Sequence, residues 1–89
     1  MDKIKIIDLL RSENKRANEI DLEVMANAIL IYTEASNNIA KNGSIVLHPR
    51  TGSPIENPYL KVQYQQSSIL LKYRHIKSNS AMQYFRKDN

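Results

Sequence analysis

The apolar positions of this chain fall into helical stripes interrupted by one short extended stretch. Ile4, Ile7 and Leu10 stand three apart, the spacing that gathers side chains onto one face of a helix, and Asp2 is placed to cap the first turn. Residues 12–18 are polar and charged, with Asn14 and Asn18 giving them loop chemistry, and they predict a connection. A much longer helical pattern starts at Asn18 or at Asp21 and runs to Asn42. Either residue offers a side-chain oxygen to the unpaired amides of a first turn. Leu22, Met25, Ala26, Ile29, Tyr32, Thr33, Ser36, Ile39 and Ala40 follow the i, i+3, i+4, i+7 rule and form one stripe. Val24, Ala28, Leu30 and Ile31 lie outside it. The apolar surface is therefore wider than one face, which suits a helix covered on one side by its own domain and on another by a neighbouring subunit. Val24, Ala28, Leu30, Ile31 and Tyr32 are the expected oligomer interface. Glu19, Asp21 and Glu23 crowd the first turns and Lys41 sits in the last, as the helix dipole favours, and Gly43 is placed as the left-handed residue that stops the helix.

Residues 44–48 are β-branched and apolar and too short for a helix before Pro49, so they predict a strand. Pro49-Arg50-Thr51-Gly52 has turn composition, and residues 53–56 would complete a hairpin. Two isolated strands are marginal in water, so the hairpin must lean on the helices or pair with another chain. Asn57-Pro58 is helix-start chemistry, a capping amide followed by a proline whose missing N–H costs nothing there. A second long helix is predicted over residues 58–77, with Leu60, Tyr64, Ser67, Leu71 and Arg74 on one side and Val62, Ile69, Tyr73 and Ile76 on another. Ser78-Asn79-Ser80 breaks it, a short helix follows over 81–85, and residues 86–89 are expected to fray. The predicted class is mainly α: two long helices joined by a short β-hairpin, with short N- and C-terminal helices. Residues 1–89 form a single small helical domain, divided into an N-terminal helix and loop (1–17), a central core (18–77) and a tail (78–89).

Length sharpens this picture, because a chain of 89 residues has a thin core and such domains usually add a disulfide, a metal or self-association. There is no cysteine, and the two histidines, His48 and His75, fall in separate segments without ligand spacing. No metal and no cofactor is expected, and self-association is the remedy left. No apolar run approaches the roughly 20 residues that span a bilayer, and the first ten residues carry Asp2 and Asp8 without a cleavage site. A cytoplasmic protein without membrane partners is the expectation. A mean hydropathy of −0.51 agrees with a soluble surface.

The net charge of +4 is unevenly spread. Residues 1–18 carry five basic and three acidic side chains, residues 19–42 one basic and four acidic, and residues 59–89 six basic and one acidic. Basic ends flank an acidic middle, a distribution that fits a solvated surface and a nucleic-acid footprint equally. Catalysis has no foothold: the chain has only two glycines, Gly43 and Gly52, and neither a phosphate loop nor a nucleophile with a histidine partner is visible. A non-enzymatic protein is expected.

The stretch from Tyr32 to Tyr59 contains a helix ending in Gly43, a hairpin bearing His48-Pro49-Arg50-Thr51-Gly52, and then Asn57-Pro58 opening the next helix. In this order of features it resembles the terminase small subunits of tailed phages, and the likeness extends over residues 18–77, most of the chain. Members of that family are usually longer, and from Ser78 onward this chain departs from their pattern. The resemblance implies a phage- or prophage-encoded DNA-packaging protein in a bacterial host. Such a subunit forms homo-oligomers, commonly rings, binds double-stranded phage DNA and recruits the large terminase subunit that holds the ATPase and nuclease.

On that reading Lys3, Lys5, Arg11, Lys15, Arg16, Arg50, Lys72, Arg74 and Lys77 are the candidate DNA contacts. The plainer account of Arg11, Lys15 and Arg16 is that they offset a helix dipole, and of Lys72, Arg74 and Lys77 that they form a solvated face. His48 and Arg50 stand to touch DNA or an adjacent subunit, or merely to flank a turn shaped by Pro49 and Gly52. His75 has the look of a surface histidine. Tyr32, Tyr59, Tyr64 and Tyr73 have the spacing of core or interface residues more than of base-stacking ones. Two other functions compete: a protein-interaction module that has lost DNA recognition, and a small DNA-binding regulator. For the regulator the break after Lys41 is a hairpin, not the short turn of a helix-turn-helix.

Overall fold

A computed structural model describes residues 3–88, with side chains described as far as Gln83. The chain is mainly helical. Its order is α1 (Lys3–Glu13), α2 (Glu19–Asn42), β1 (Ile45–Leu47), β2 (Pro54–Glu56), α3 (Tyr59–Lys72) and α4 (Asn79–Asp88). The two strands pair antiparallel, with Val46 opposite Ile55, and the hairpin stands between the two long helices as predicted.

Of the two candidate starts for α2, Asn18 is the one used. Its Oδ1 accepts from Ile20 N at 2.7 Å, and its carbonyl accepts the first helical bond, from Leu22 N. Gly43 ends α2 with φ +86° and donates its N–H to Ile39 O at 2.7 Å. Its ψ of 173° sends the chain straight into β1 instead of into the left-handed helical region that its position predicted.

The core is one cluster made by Ile6 and Leu10 of α1, Leu22, Met25, Ala26 and Ile29 of α2, Ile76 of the turn that follows α3, and Ala81 of α4. It lies at the N-terminal half of α2, where α1 and α3 both reach that helix. Further along, Thr33, Ser36 and Ile39 of the predicted stripe are only half-buried and Ala40 is exposed, because there, among the described residues, the cover comes from α3 and the hairpin.

Four expectations need correction. Ile4 faces outward, 69% exposed, and Ile6 takes its place in the core; α1 is rotated by its docking so that Ile6 and Leu10 point at α2. Ala28, expected at a subunit interface, is buried within the chain's own fold, so it offers nothing to a neighbour. Helix α3 ends at Lys72, not at residue 77. After it a turn in which Ile76 N bonds to Tyr73 O carries Ile76 into the core. Finally, the expected C-terminal helix is longer than residues 81–85: α4 runs over Asn79–Asp88, packs on α1 and buries Ala81. The predicted cap at Asp2 lies outside the described residues.

Helix α3 contains no fully buried residue. Tyr64 and Leu71 of its first predicted side are 73% and 67% exposed, whereas Val62, Ile69 and Tyr73 of the second are half-buried. The molecule is drawn out, 50 × 25 × 17 Å, with a radius of gyration of 15.0 Å against about 12 Å for a rounded chain of this length.

Candidate nucleic-acid interface

Two connections meet at one end of the molecule: the α1–α2 loop (14–18) and the α3–α4 turn (73–78). Asn14 joins them. Its Nδ2 donates to Leu10 O at 2.8 Å, closing the end of α1, and to Lys77 O at 2.7 Å, while its Oδ1 accepts from Lys77 N at 2.8 Å. This paired amide contact spans 63 positions of sequence. Beside it Glu13 caps α4, its carboxylate accepting from Ser80 N. Hydrogen bonds from Ser80 hold the Glu13 carboxyl below its ordinary range, and the nearby Lys77 ammonium adds to this.

The meeting of the two connections leaves an open cleft of about 480 Å³ whose walls include Lys15, Arg16 and His75. All three are exposed, as are Arg74 and Lys77 in the same turn. Two basic segments far apart in sequence, Lys15-Arg16 and Arg74-His75-Lys77, thus converge on one end. This gathers positive charge around a concave surface, the arrangement that attracts a polyanion.

The other candidate cations are placed differently. Arg11 holds Glu19 through two parallel bonds, Nε to Oε1 and Nη2 to Oε2, both 2.9 Å, and Asp8 through Nη1 at 2.8 Å. Its guanidinium is held more firmly charged than usual, first by the hydrogen bond to Glu19, and the same bond lowers the Glu19 carboxyl. Lys3 bonds Glu23 at 3.1 Å. These pairs fasten α1 to the start of α2, and their charge is largely compensated. Lys5 borders a separate depression with Asp8 and Ser12, and Lys72 is exposed at the end of α3. Arg50 stands at the hairpin tip, beyond the far end of α2, a helix about 36 Å long.

Compared with protein-family models, with curated proteins and with solved structures, the chain matches none.

Several residues between Gly43 and Tyr59 have a local structural task. His48 Nδ1 accepts from Arg50 N at 3.1 Å and from Thr51 N at 3.4 Å, so the ring is turned into its own loop. Thr51 Oγ1 accepts from Ser53 N, and Gly52 takes φ +70°. Asn57, 2% exposed, donates from Nδ2 to Gly43 O at 2.8 Å and to Asn38 Oδ1 at 3.0 Å, and its Oδ1 accepts from Tyr59 N at 2.9 Å. One side chain therefore closes α2, seats the hairpin and opens α3, with Pro58 at φ −56° leading into its first turn.

Of the expected interface residues other than Ala28, Ile31 is 38% exposed, and Val24, Leu30 and Tyr32 are half-buried. Asn14, Glu13 and the cleft position of His75 were not foreseen. The available signal was Asn14 just after a helical stripe, where an amide serves as a cap, but nothing local pointed to its second partner.

Proposed function

We propose that this chain is a non-enzymatic DNA-binding adaptor of the terminase small-subunit kind. It engages duplex DNA through the cleft end, works as a homo-oligomer inside a bacterial host cell, and hands DNA to a large subunit with ATPase and nuclease activity. The convergence of Lys15, Arg16, Arg74 and Lys77 with His75 on one end carries the DNA reading. The order of helix stop, turn and helix start from Gly43 to Pro58 supports the kinship. Repetition of a small basic site in an oligomer lets modest phosphate contacts add. No described helix is long and apolar enough to cross a membrane.

Fluorescence anisotropy with a labelled duplex across a salt series tests this reading. Binding should weaken steeply with salt, and replacing Lys15 and Arg16 together by Glu should abolish it at physiological ionic strength. Single neutral substitutions of Lys15 or Arg16 should each lower the salt slope by about 1. Arg50→Gln, at the opposite end, should leave it unchanged. A second reading, a protein-interaction module, draws on the acidic first turns of α2 and on the compensation of Lys3 and Arg11 by Glu23 and Glu19. Capture of a protein partner with no effect of the chain on duplex anisotropy would favour it.

A further inference from the structure

The hydrogen bonds around the hairpin define which backbone groups its strands leave open. Asn57 N donates to Ser44 O at 2.7 Å and His48 N to Ser53 O at 2.8 Å, both in the register that sets Val46 opposite Ile55. Bonded and non-bonded pairs alternate along an antiparallel ladder. Ser44, Val46 and His48 therefore turn their N–H and C=O groups toward β2, and Ile45 and Leu47 turn theirs away from it. On the opposite edge the outward positions are Pro54 and Glu56. Pro54 has no N–H and Glu56 is charged, two features that blunt an edge against pairing.

Strand β1 has neither protection. Residues 44–48 contain no Asp, Glu, Lys or Arg, and Ile45 and Leu47 are 61% and 68% exposed. Among the described residues no loop or helix donates a backbone hydrogen bond to this edge. Ile45, Val46 and Leu47 also line an open groove of about 550 Å³ together with Asn38 and Asn42 of α2 and residues 57–59.

We infer that β1 docks with β1 of a second copy of this chain, joining two hairpins into a four-stranded antiparallel sheet about a twofold axis at Val46. Outward-facing residues can only bond to outward-facing residues, so the register follows. Ile45 stands opposite Leu47 of the partner subunit, and Leu47 opposite the partner subunit's Ile45. Four N–H···O bonds form, and the exposed Ile and Leu side chains meet across the strands on one face. Because β2 is blunted, the pairing closes at two chains and does not propagate.

The chain exposes 6471 Å², where a compact folded monomer of its mass exposes about 5,400 Å², so surface is left for a second copy to cover. This pairing goes beyond the DNA reading and needs no nucleic acid.

Sedimentation equilibrium of the full chain without DNA, from micromolar to millimolar concentration, tests it. The wild type should show a monomer–dimer equilibrium. Leu47→Pro removes an outward N–H without touching the bonds to β2, and it should weaken dimerisation roughly thirtyfold. Ile45→Lys and Leu47→Glu should each weaken it as well, while the double variant, which sets Lys against Glu on both sides of the axis, should recover most of the affinity. Both side chains are exposed, so circular dichroism should show the monomer fold intact; if Leu47→Pro alone fails this check, the charge series decides. A chain that stays monomeric at millimolar concentration overturns the inference. So does a dimer indifferent to Leu47→Pro, or a double variant no better than the single ones.

Discussion

Asn57 holds three partners from a position 2% exposed, and all three contacts are lost if the amide is removed. A buried group left unsatisfied costs about 1–3 kcal/mol. Asn57→Ala should therefore lower stability by about 2–3 kcal/mol, read as a reduced urea midpoint. Asn57→Asp should be no milder, since a carboxylate faces Gly43 O and Asn38 Oδ1 without a hydrogen to give. Gly43 makes a different demand. A Cβ there would find room, its nearest neighbour being Ile45 O at 3.8 Å. The backbone, at φ +86° and ψ 173°, is nevertheless in a region essentially confined to glycine, so Gly43→Ala should cost about 1–3 kcal/mol by the same measurement.

Among the elements, α4 is the one whose place depends on a charge. The Glu13 carboxylate caps its first turn, and the Ser80 hydrogen bonds lower the Glu13 pKa below its unfolded value. A group depressed on folding contributes stability that is fully present above its ordinary range and lost as pH falls through the lowered value. Protection from hydrogen exchange in residues 79–83, measured against the intrinsic rate at each pH, should therefore be high at neutral pH and fall on acidification more than in the core of α2. Glu13→Gln should flatten that dependence, and an unchanged profile in this variant would show that the cap does not govern docking. At the same end of the fold α3 stops early. Its pattern of apolar residues continues to Ile76, but the chain leaves the helix after Lys72, and the turn that follows places Ile76 in the core cluster and bonds Lys77 to Asn14.

At the scale of the molecule, packing is uneven. Around Leu22 to Ile29 helix α2 has neighbours on two sides, while residues 33–42 are covered, among the described residues, by α3 and the hairpin, and no residue of α3 is fully buried. Amides of residues 33–42 should exchange faster than those of residues 22–29, and dimerisation through β1 should slow exchange at Ile45 and Leu47, whose N–H groups are otherwise open. Hydrogen exchange at two protein concentrations separates these effects. The basic cleft and the open strand edge lie at opposite ends of a 50 Å body, so an oligomer joined through the hairpins leaves the cleft ends free for a ligand.

The sequence alone was enough for the order of helices and hairpin and for much of their punctuation, because caps and turns are made by neighbours, but not for where α3 ends or α4 begins. Asn18 bonds two residues ahead, Gly43 four behind, His48 within its own loop and Pro58 through its own ring. Periodicity also marked which face of α2 is buried at Leu22, Met25, Ala26 and Ile29. What spacing could not supply were the outcomes of competition between distant segments. Ile6 displaced Ile4 from the core, Ala28 proved to be interior, and Asn14 found its second partner 63 positions away. Those choices depend on which surfaces meet when α1, α3 and α4 close around α2, and that meeting brings Lys15 and Arg16 to the same cleft as His75.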